Sequence, residues 1–439
     1  MKTLKKEDNF IARSKSFLAN RLYLNDRRRL SIILIGTVGS FPMIIFMSYV
    51  GLHLEDIQTM VWLIGVILAL RNIYQIFLRV PLGHFSQMVG RKPLLIAGIG
   101  FYTLSLFVMA LSTHWSIVIV AITFLAIGMS CFWPILFAYI GDIEENNIGQ
   151  LQGRVFQGTD LGVILGSLLA VLLLKHFQVE LRVLFAWGAG ISLMGVIGMA
   201  FFMPEVLKKE DRMQVESKIK ALLESFVTMF KNLVNVTKQK KLSFIYLVQL
   251  LIAFLEYMVT AFFPFLVVSK GFSDDVVAQV FWISAGVLIF FKPFLGKIID
   301  KIGYRMPMLF TILISAIMLV LMTFVDSFAW LVVVYIIYSG SSLTSYIGVN
   351  TGTTVESKTA QRGMALGALG FYVSFSRSIT TFSLTPIWNG YGINWVFLST
   401  AIIIASAVIV VYLIYYLVGI RNNKNNNHKI THFRNSELK

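Results

Sequence analysis

Arg71, Gln75 and Arg79 recur at four-residue steps inside a stretch otherwise too apolar to meet water, and Glu256 and Arg377 interrupt two further stretches of the same kind. An ionisable side chain in hydrocarbon is costly enough that function is the default reading. Four-residue steps put Arg71, Gln75 and Arg79 on one face of a helix, where three polar groups can line water. Arg71 precedes Gly83 by about twelve residues, about 18 Å of helix, which is near mid-depth in a bilayer. Glu256 and Arg377 each lie about fifteen residues, about 22 Å, from the same end of their segments, so they share a level and can pair. Two readings stay open for them. Glu256 can carry a proton, or it can form a static salt bridge with Arg377 that holds two helices together.

Other chemistries lack their residues. No Gly-x-x-x-x-Gly-Lys-Ser/Thr loop, His-Glu-x-x-His pair or Gly-x-Ser-x-Gly elbow occurs, which argues against ATP hydrolysis and against a membrane-embedded enzyme. His53 and His114 stand alone, and no metal or other cofactor is expected. The lone cysteine, Cys131, sits inside an apolar run and reads as small core filler.

The elements that must position these groups follow from composition. Of 439 residues 57% are hydrophobic and 14% charged, against about one quarter charged in a soluble domain. Apolar runs long enough to cross a bilayer recur twelve times: about 30–51, 57–80, 93–112, 115–138, 154–175 and 181–203, then 242–269, 275–296, 307–325, 328–350, 363–387 and 393–419. The chain therefore divides into a tail (1–29), a six-span half (30–203), a polar interval (204–241), a second six-span half (242–419) and a tail (420–439). No removable signal peptide is read at the N-terminus, and the asparagine-rich end beyond 420 has the composition of a disordered tail.

The net charge of +16 is distributed as a membrane protein requires, which weighs against nucleic-acid binding. If both termini are cytoplasmic, the inner face collects Arg27, Arg28, Arg29, Arg91, Lys92, the basic interval, Lys301, Arg305, Lys358, Arg362 and the tail. The outer loops keep Lys175, Arg182 and Lys270 beside Glu55, Asp56, Glu180, Asp274, Asp275 and Asp326. That asymmetry predicts a multi-pass protein of the cell membrane with both ends inside. In the interval, Val215, Ile219, Leu222, Phe226, Phe230 and Leu233 recur at helical spacing and predict one amphipathic helix. It either lies on the inner leaflet or packs on the ends of the bundle. Gly158, Gly162 and Gly166 line one face of the fifth span, and Gly363, Gly367 and Gly370 open the eleventh, spacings that favour close helix packing.

One short segment occurs twice: GHFSQMVGRK at 83–92 and GKIIDKIGYR at 296–305, 213 residues apart. Each has Gly, a polar residue four on, Gly seven on and a basic residue nine on, as Gly83, Gln87, Gly90 and Lys92, then Gly296, Asp300, Gly303 and Arg305. With twelve spans in two halves and a long polar interval, the chain resembles the major facilitator superfamily of secondary transporters. The resemblance covers about 30–419.

The resemblance implies an all-α integral membrane fold, two pseudo-symmetric six-helix bundles around a central cavity, and alternating access by rocking of the halves. It implies that the acidic residue of the first copy bridges the halves when the inner gate is shut, through a neighbouring arginine and the positive end of a facing helix. Asp300 supplies that residue in the second copy. Gln87 replaces it in the first and keeps hydrogen-bonding capacity without charge, leaving Arg91, Lys92, Asp142 and Arg154 as substitutes. Arg154 and Arg362 are expected to open the fifth and eleventh spans, and Asp160, six residues in, to sit by the inner gate with Arg154.

On that architecture the first, fourth, seventh and tenth spans line the cavity. Arg71, Gln75, Glu256, Tyr257, Arg377, Tyr338 and Ser342 are then the expected substrate or proton site, with Thr37, Ser40, Trp133, Tyr139, Gln249 and Thr260 as further lining. The expected partners are a small-molecule substrate, a proton and membrane lipids, and the expected state is a monomer. Paired arginines favour an organic anion, while aromatic content and the hydroxyl-rich tenth span also suit amphiphilic compounds. Proton-driven export is the first expectation, uptake of an organic anion or metabolite the second, and a non-transporting receptor or scaffold of the same fold the third.

Overall fold

The computed structural model describes residues 27–143, 147–207, 210, 212, 217–272 and 275–412. Val215, Asp274, residues 1–26 and residues 413–439 lie outside the described residues.

The first half is six long helices: α1 (Arg27–Asp56), α2 (Val61–Val89), α3 (Arg91–Leu111), α4 (Trp115–Ile143), α5 (Ile148–Ala170, continued by a π-type turn, Val171–His176) and α6 (Leu181–Phe202). Two short helices follow, α7 (Lys218–Val227) and α8 (Met229–Thr237). The second half is α9 (Lys240–Ser269), α10 (Asp275–Ile302), α11 (Arg305–Phe324), α12 (Phe328–Glu356), α13 (Arg362–Tyr391) and α14 (Ile393–Tyr412).

Among the described residues eleven helices are long and apolar enough to cross a membrane, and α13, the one that carries Arg377, is the long helix that falls short. Its polarity is tolerable because its hydroxyls serve the backbone. Ser378 donates to Ser374 O at 2.9 Å, Thr380 to Ser376 O at 2.8 Å and Ser376 to Leu250 O at 2.8 Å. A hydroxyl bonded one turn back carries no unpaired group into the core.

The repeated segments are mostly helix rather than loop. Nothing between Gly83 and Val89 breaks α2, and the chain turns at Gly90 alone (φ 108°) before α3 begins at Arg91. In the second copy α10 runs to Ile302, with Gly303 at φ 89°. A positive φ is open to glycine without steric cost, so these two positions set the sharp reversals. The end of the bundle that carries Gly90 and Gly303 is called the loop end below.

Helices within and between the halves meet through small residues. Thr37 Oγ1 donates to Gly158 O at 3.0 Å and Ser40 Oγ to Thr159 O at 2.9 Å, which ties α1 to the glycine face of α5. Two seams join the halves. In one, a Cβ on Gly83 would strike the Gly363 carbonyl and meet Gly367, so α2 and α13 touch backbone to backbone; in the other, Gly296 faces Gly149 and Lys292 faces Gly153, joining α10 to α5. The seams repeat one register: Gly83 and Arg79 of the first correspond to Gly296 and Lys292 of the second.

The polar interval departs from the single amphipathic helix. It breaks at Thr228, and Ser225, Met229, Leu233 and Val236 are the residues turned inward. Phe226 and Phe230, expected on the buried stripe, are exposed. Polar contacts set this face as much as apolar ones do: His84 Nδ1 meets Ser225 Oγ at 2.8 Å and Thr237 Oγ1 meets Tyr372 OH at 2.9 Å. The interval is thus packed on the loop end of the bundle, against both α2 and α13.

Candidate functional site

Between the halves lie two adjoining cavities that share Glu256, Leu343 and Arg377. One, of about 270 Å³, is lined by Arg79, Trp133, Phe137, Phe156, Tyr346 and Asn350; the other, of about 360 Å³, by Arg71, Tyr257, Thr260, Lys292, Tyr338 and Ser342. A larger apolar groove between α3 and α6, with Phe107, Trp187 and Met194, lies away from these charges.

Helix spacing explains the convergence. Arg71 and Arg79 lie two four-residue steps apart on α2, and Glu256 and Arg377 come from α9 and α13, which pack together through Tyr246 OH donating to Ala365 O at 2.9 Å. Arg377 Nη2 stands 3.8 Å from Glu256 Oε2, a distance at which an ion pair is loose. Ser342 Oγ donates to Glu256 Oε1 at 3.3 Å. The two side chains are 28% and 26% exposed, so they front open space rather than solid packing.

Arg71 donates to Met47 Sδ at 2.6 Å and to Asn72 Oδ1 at 3.4 Å; Arg79 donates to Gly370 O at 2.6 Å and to Gln75 Oε1 at 2.5 Å. Among the described residues neither has a carboxylate partner. The chamber therefore holds Arg71, Arg79, Arg377 and Lys292 against Glu256 and Asp160, an excess of positive charge in a low-dielectric region where such charge acts strongly. Aromatic rings occupy its loop-end wall, with Phe137 and Phe156 both edge-on to Tyr346 at 6.3 and 5.6 Å.

The loop end is latched in two ways. Asp300 accepts the backbone N–H of Gly149 at 2.7 Å through Oδ1 and that of Gln150 at 2.7 Å through Oδ2. These are unpaired donors of the first turn of α5, where the helix dipole favours an anion. At the other seam the carboxylate comes from Asp142 at the end of α4. Arg91 Nε reaches Asp142 Oδ2 at 2.9 Å from the same half, and Arg362 Nη1 reaches Asp142 Oδ1 at 2.5 Å from the opposite half. Gln87 is buried, and both of its amide atoms lack a partner among the described residues. Lys92 turns to Ala200 O at 2.8 Å and takes no part in the seam. Arg305, in the second copy, pairs with Glu356 at 3.2 Å inside its own half.

Several expectations need correction. α5 begins at Ile148, so Arg154 lies in its second turn and does not open it, whereas Arg362 does open α13. Arg154 donates to Gln157 Oε1 at 3.2 Å, and Asp160, instead of joining it at the gate, pairs with Lys292 Nζ of α10 at 2.5 Å. Tyr139 is buried with its hydroxyl on Pro204 O at 3.2 Å, and Gln249 is sealed in the core. Thr37 and Ser40 serve the α1–α5 contact. Gln75 is buried and supports Arg79 rather than lining open space. Five of the eight Ser and Thr hydroxyls of α12 are spent on its own backbone, as in Thr344 to Gly340 O at 2.7 Å and Thr353 to Val349 O at 2.9 Å.

Sequence reasoning passed over Lys292, Phe137, Phe156, Tyr346 and Glu356. The signal for Lys292 was present, a lysine inside IFFKPFLG, but a span ending at 296 would put it at the headgroups. α10 extends to Ile302 and carries it to the depth of the chamber.

Comparison with known proteins bears on the family and the fold. A family model described as Major Facilitator Superfamily covers residues 29–381. Multidrug resistance protein 2 of Bacillus subtilis (strain 168) is 23% identical over 275 residues, which span 60% of this chain and 64% of that protein's length. The crystal structure of the human organic anion transporter MFSD10 (TETRAN) superposes with a TM-score of 0.74 at 15% identity, over 88% of this chain and 99% of that one, a likeness of fold.

Proposed function

Because the chain belongs to the major facilitator superfamily and is a multi-pass transporter rather than an enzyme, we propose that it moves a small amphiphilic organic anion across the cell membrane by alternating access, coupled to protons. One observation carries the substrate class: Arg71 and Arg79 bring guanidiniums to a chamber between the halves, and among the described residues neither has a carboxylate at ion-pair distance. An anion supplies the missing charge, and Trp133, Phe137, Phe156 and Tyr346 offer its apolar body a face. Glu256 is the proton carrier, since it fronts the same space and its ion pair with Arg377 is loose. The excess of basic residues at the loop end supports a cytoplasmic loop end and cytoplasmic termini. The protein works as a monomer, the whole chamber being built from one chain.

Export is the direction supported by the likeness to a multidrug resistance protein. A second reading rests on Arg377. An anion bound there displaces ionised Glu256, which then takes a proton, so anion and proton travel together and the gradient drives uptake. Purified protein in liposomes under an imposed pH gradient separates the readings. Naphthalene-2-sulfonate, ionised at any working pH, accumulates on the acidic side for proton exchange and on the alkaline side for co-transport. Uptake no faster than in protein-free liposomes, with either gradient, refutes transport of this class.

A further inference from the structure

The two seams between the halves each carry one cation at the same register, four residues before the seam glycine: Arg79 before Gly83 and Lys292 before Gly296. Each reaches across to the other half, and their partners differ in kind. Arg79 meets the Gly370 carbonyl, a neutral group fixed in the backbone of α13. Lys292 meets the Asp160 carboxylate of α5 at 2.5 Å, in contact as an ion pair. A second anion can compete with a carboxylate for Lys292, whereas Arg79, among the described residues, meets no charge that an anion could replace; the ion pair of its seam, Asp142 with Arg362, lies at the loop end and lines neither cavity.

Lys292 also lines the cavity that holds Arg71, Tyr257, Ser342 and Arg377. Its ammonium is therefore shared between the lock and the chamber. We propose, building on the anion-transporter reading, that Lys292 is a third cationic contact for substrates bearing two acidic groups, and that Asp160 is a built-in competitor which holds Lys292 until such a substrate takes it. The first acidic group sits on Arg71 and Arg377, and the second draws Lys292 from Asp160. Engagement of the second group removes one ion pair between α5 and α10, so occupancy by a dianion loosens that seam, leaving Asp300 on the start of α5 as its remaining polar tie, while the Arg79 seam is untouched.

The preference between one and two charges tests this on the purified full-length protein. Naphthalene-2-sulfonate and naphthalene-2,6-disulfonate share one ring system and differ by one permanent charge. Binding of both is measured by calorimetry in wild type, Lys292→Gln, Asp160→Asn and Arg377→Ala. Lys292→Gln weakens the disulfonate about tenfold or more, the worth of one charge-assisted contact, and weakens the monosulfonate much less, so the preference for two charges falls. Asp160→Asn acts in the opposite direction and tightens the disulfonate, a gain that loss of folding cannot imitate. Arg377→Ala weakens both. Binding of both probes with the same preference in Lys292→Gln and Asp160→Asn as in wild type overturns this inference alone. Wild-type protein that binds neither probe overturns it together with the reading it rests on.

Discussion

Asp142→Asn tests the latch at the α2–α13 seam. Asp142 is 3% exposed and lies between Arg91, fully buried, and Arg362, 9% exposed. The two bonds are unequal in consequence. Arg91 belongs to the same half, so under the proposed alternating access its 2.9 Å contact is kept, whereas the Arg362 contact crosses between the halves and is lost when the loop end opens. Removing the charge costs the closed state about 1.5–3 kcal/mol, the worth of a charge-assisted hydrogen bond, and leaves two buried guanidiniums facing each other across the seam. That energy shifts the ratio of closed to open forms by about ten- to a hundredfold toward open.

The assay uses Asn350→Cys in a Cys131→Ser background, because Asn350 is 1% exposed and lines the chamber on the side of the latch. An impermeant maleimide added from the loop side of sealed vesicles modifies the introduced thiol in proportion to the open population. Asp142→Asn raises that rate, and Arg91→Gln, which spares the contact between halves, raises it far less. An unchanged rate in Asp142→Asn, or an equal rise in both variants, refutes the assignment of the latch to the Arg362 bond.

Gln87→Asp places a carboxylate where the second copy has Asp300, and the same labelling rate falls below wild type if the acid captures the start of α13; equal accessibility counts against that. Gly296→Ala forces a Cβ onto the Gly149 carbonyl, so the seam opens, labelling rises, and thermal unfolding of the closed form drops by about 1–3 kcal/mol, as for other overpacked contacts. Glu256→Gln keeps naphthalene-2-sulfonate binding but abolishes its accumulation under a pH gradient; retained pH-driven accumulation removes Glu256 as the proton carrier.

The fold was legible because hydrocarbon imposes a length and a polarity on each crossing segment, and among the described residues eleven of the twelve expected segments meet both. α13 shows the limit: it satisfies length but not apolarity, since its hydroxyls hide on its own backbone. The charged site was half legible. Arg71, Glu256 and Arg377 stand out inside apolar runs, and all three line the chamber. Lys292 was missed and Asp160 misplaced for one shared reason. Helices extend past the membrane-like stretch into the repeated segments, so a span boundary drawn from hydropathy misjudges depth by a turn or two, and depth is what separates a headgroup lysine from a buried one.

The gate shows the opposite case. Pairing Asp300 with the start of α5 follows from an acid opposite unpaired helix donors, a relation that the repeated motif brings to mind. No spacing in the chain says that Asp142, rather than Gln87, would hold Arg362, because these residues meet through a contact between halves far apart in sequence. By itself, then, the sequence determined the number of crossings, their division into halves and the charges placed in the membrane, since solvation acts on each segment where it stands. Which charge faces which, and across which seam, was decided only in the folded bundle, because electrostatic pairing depends on distances that packing alone sets.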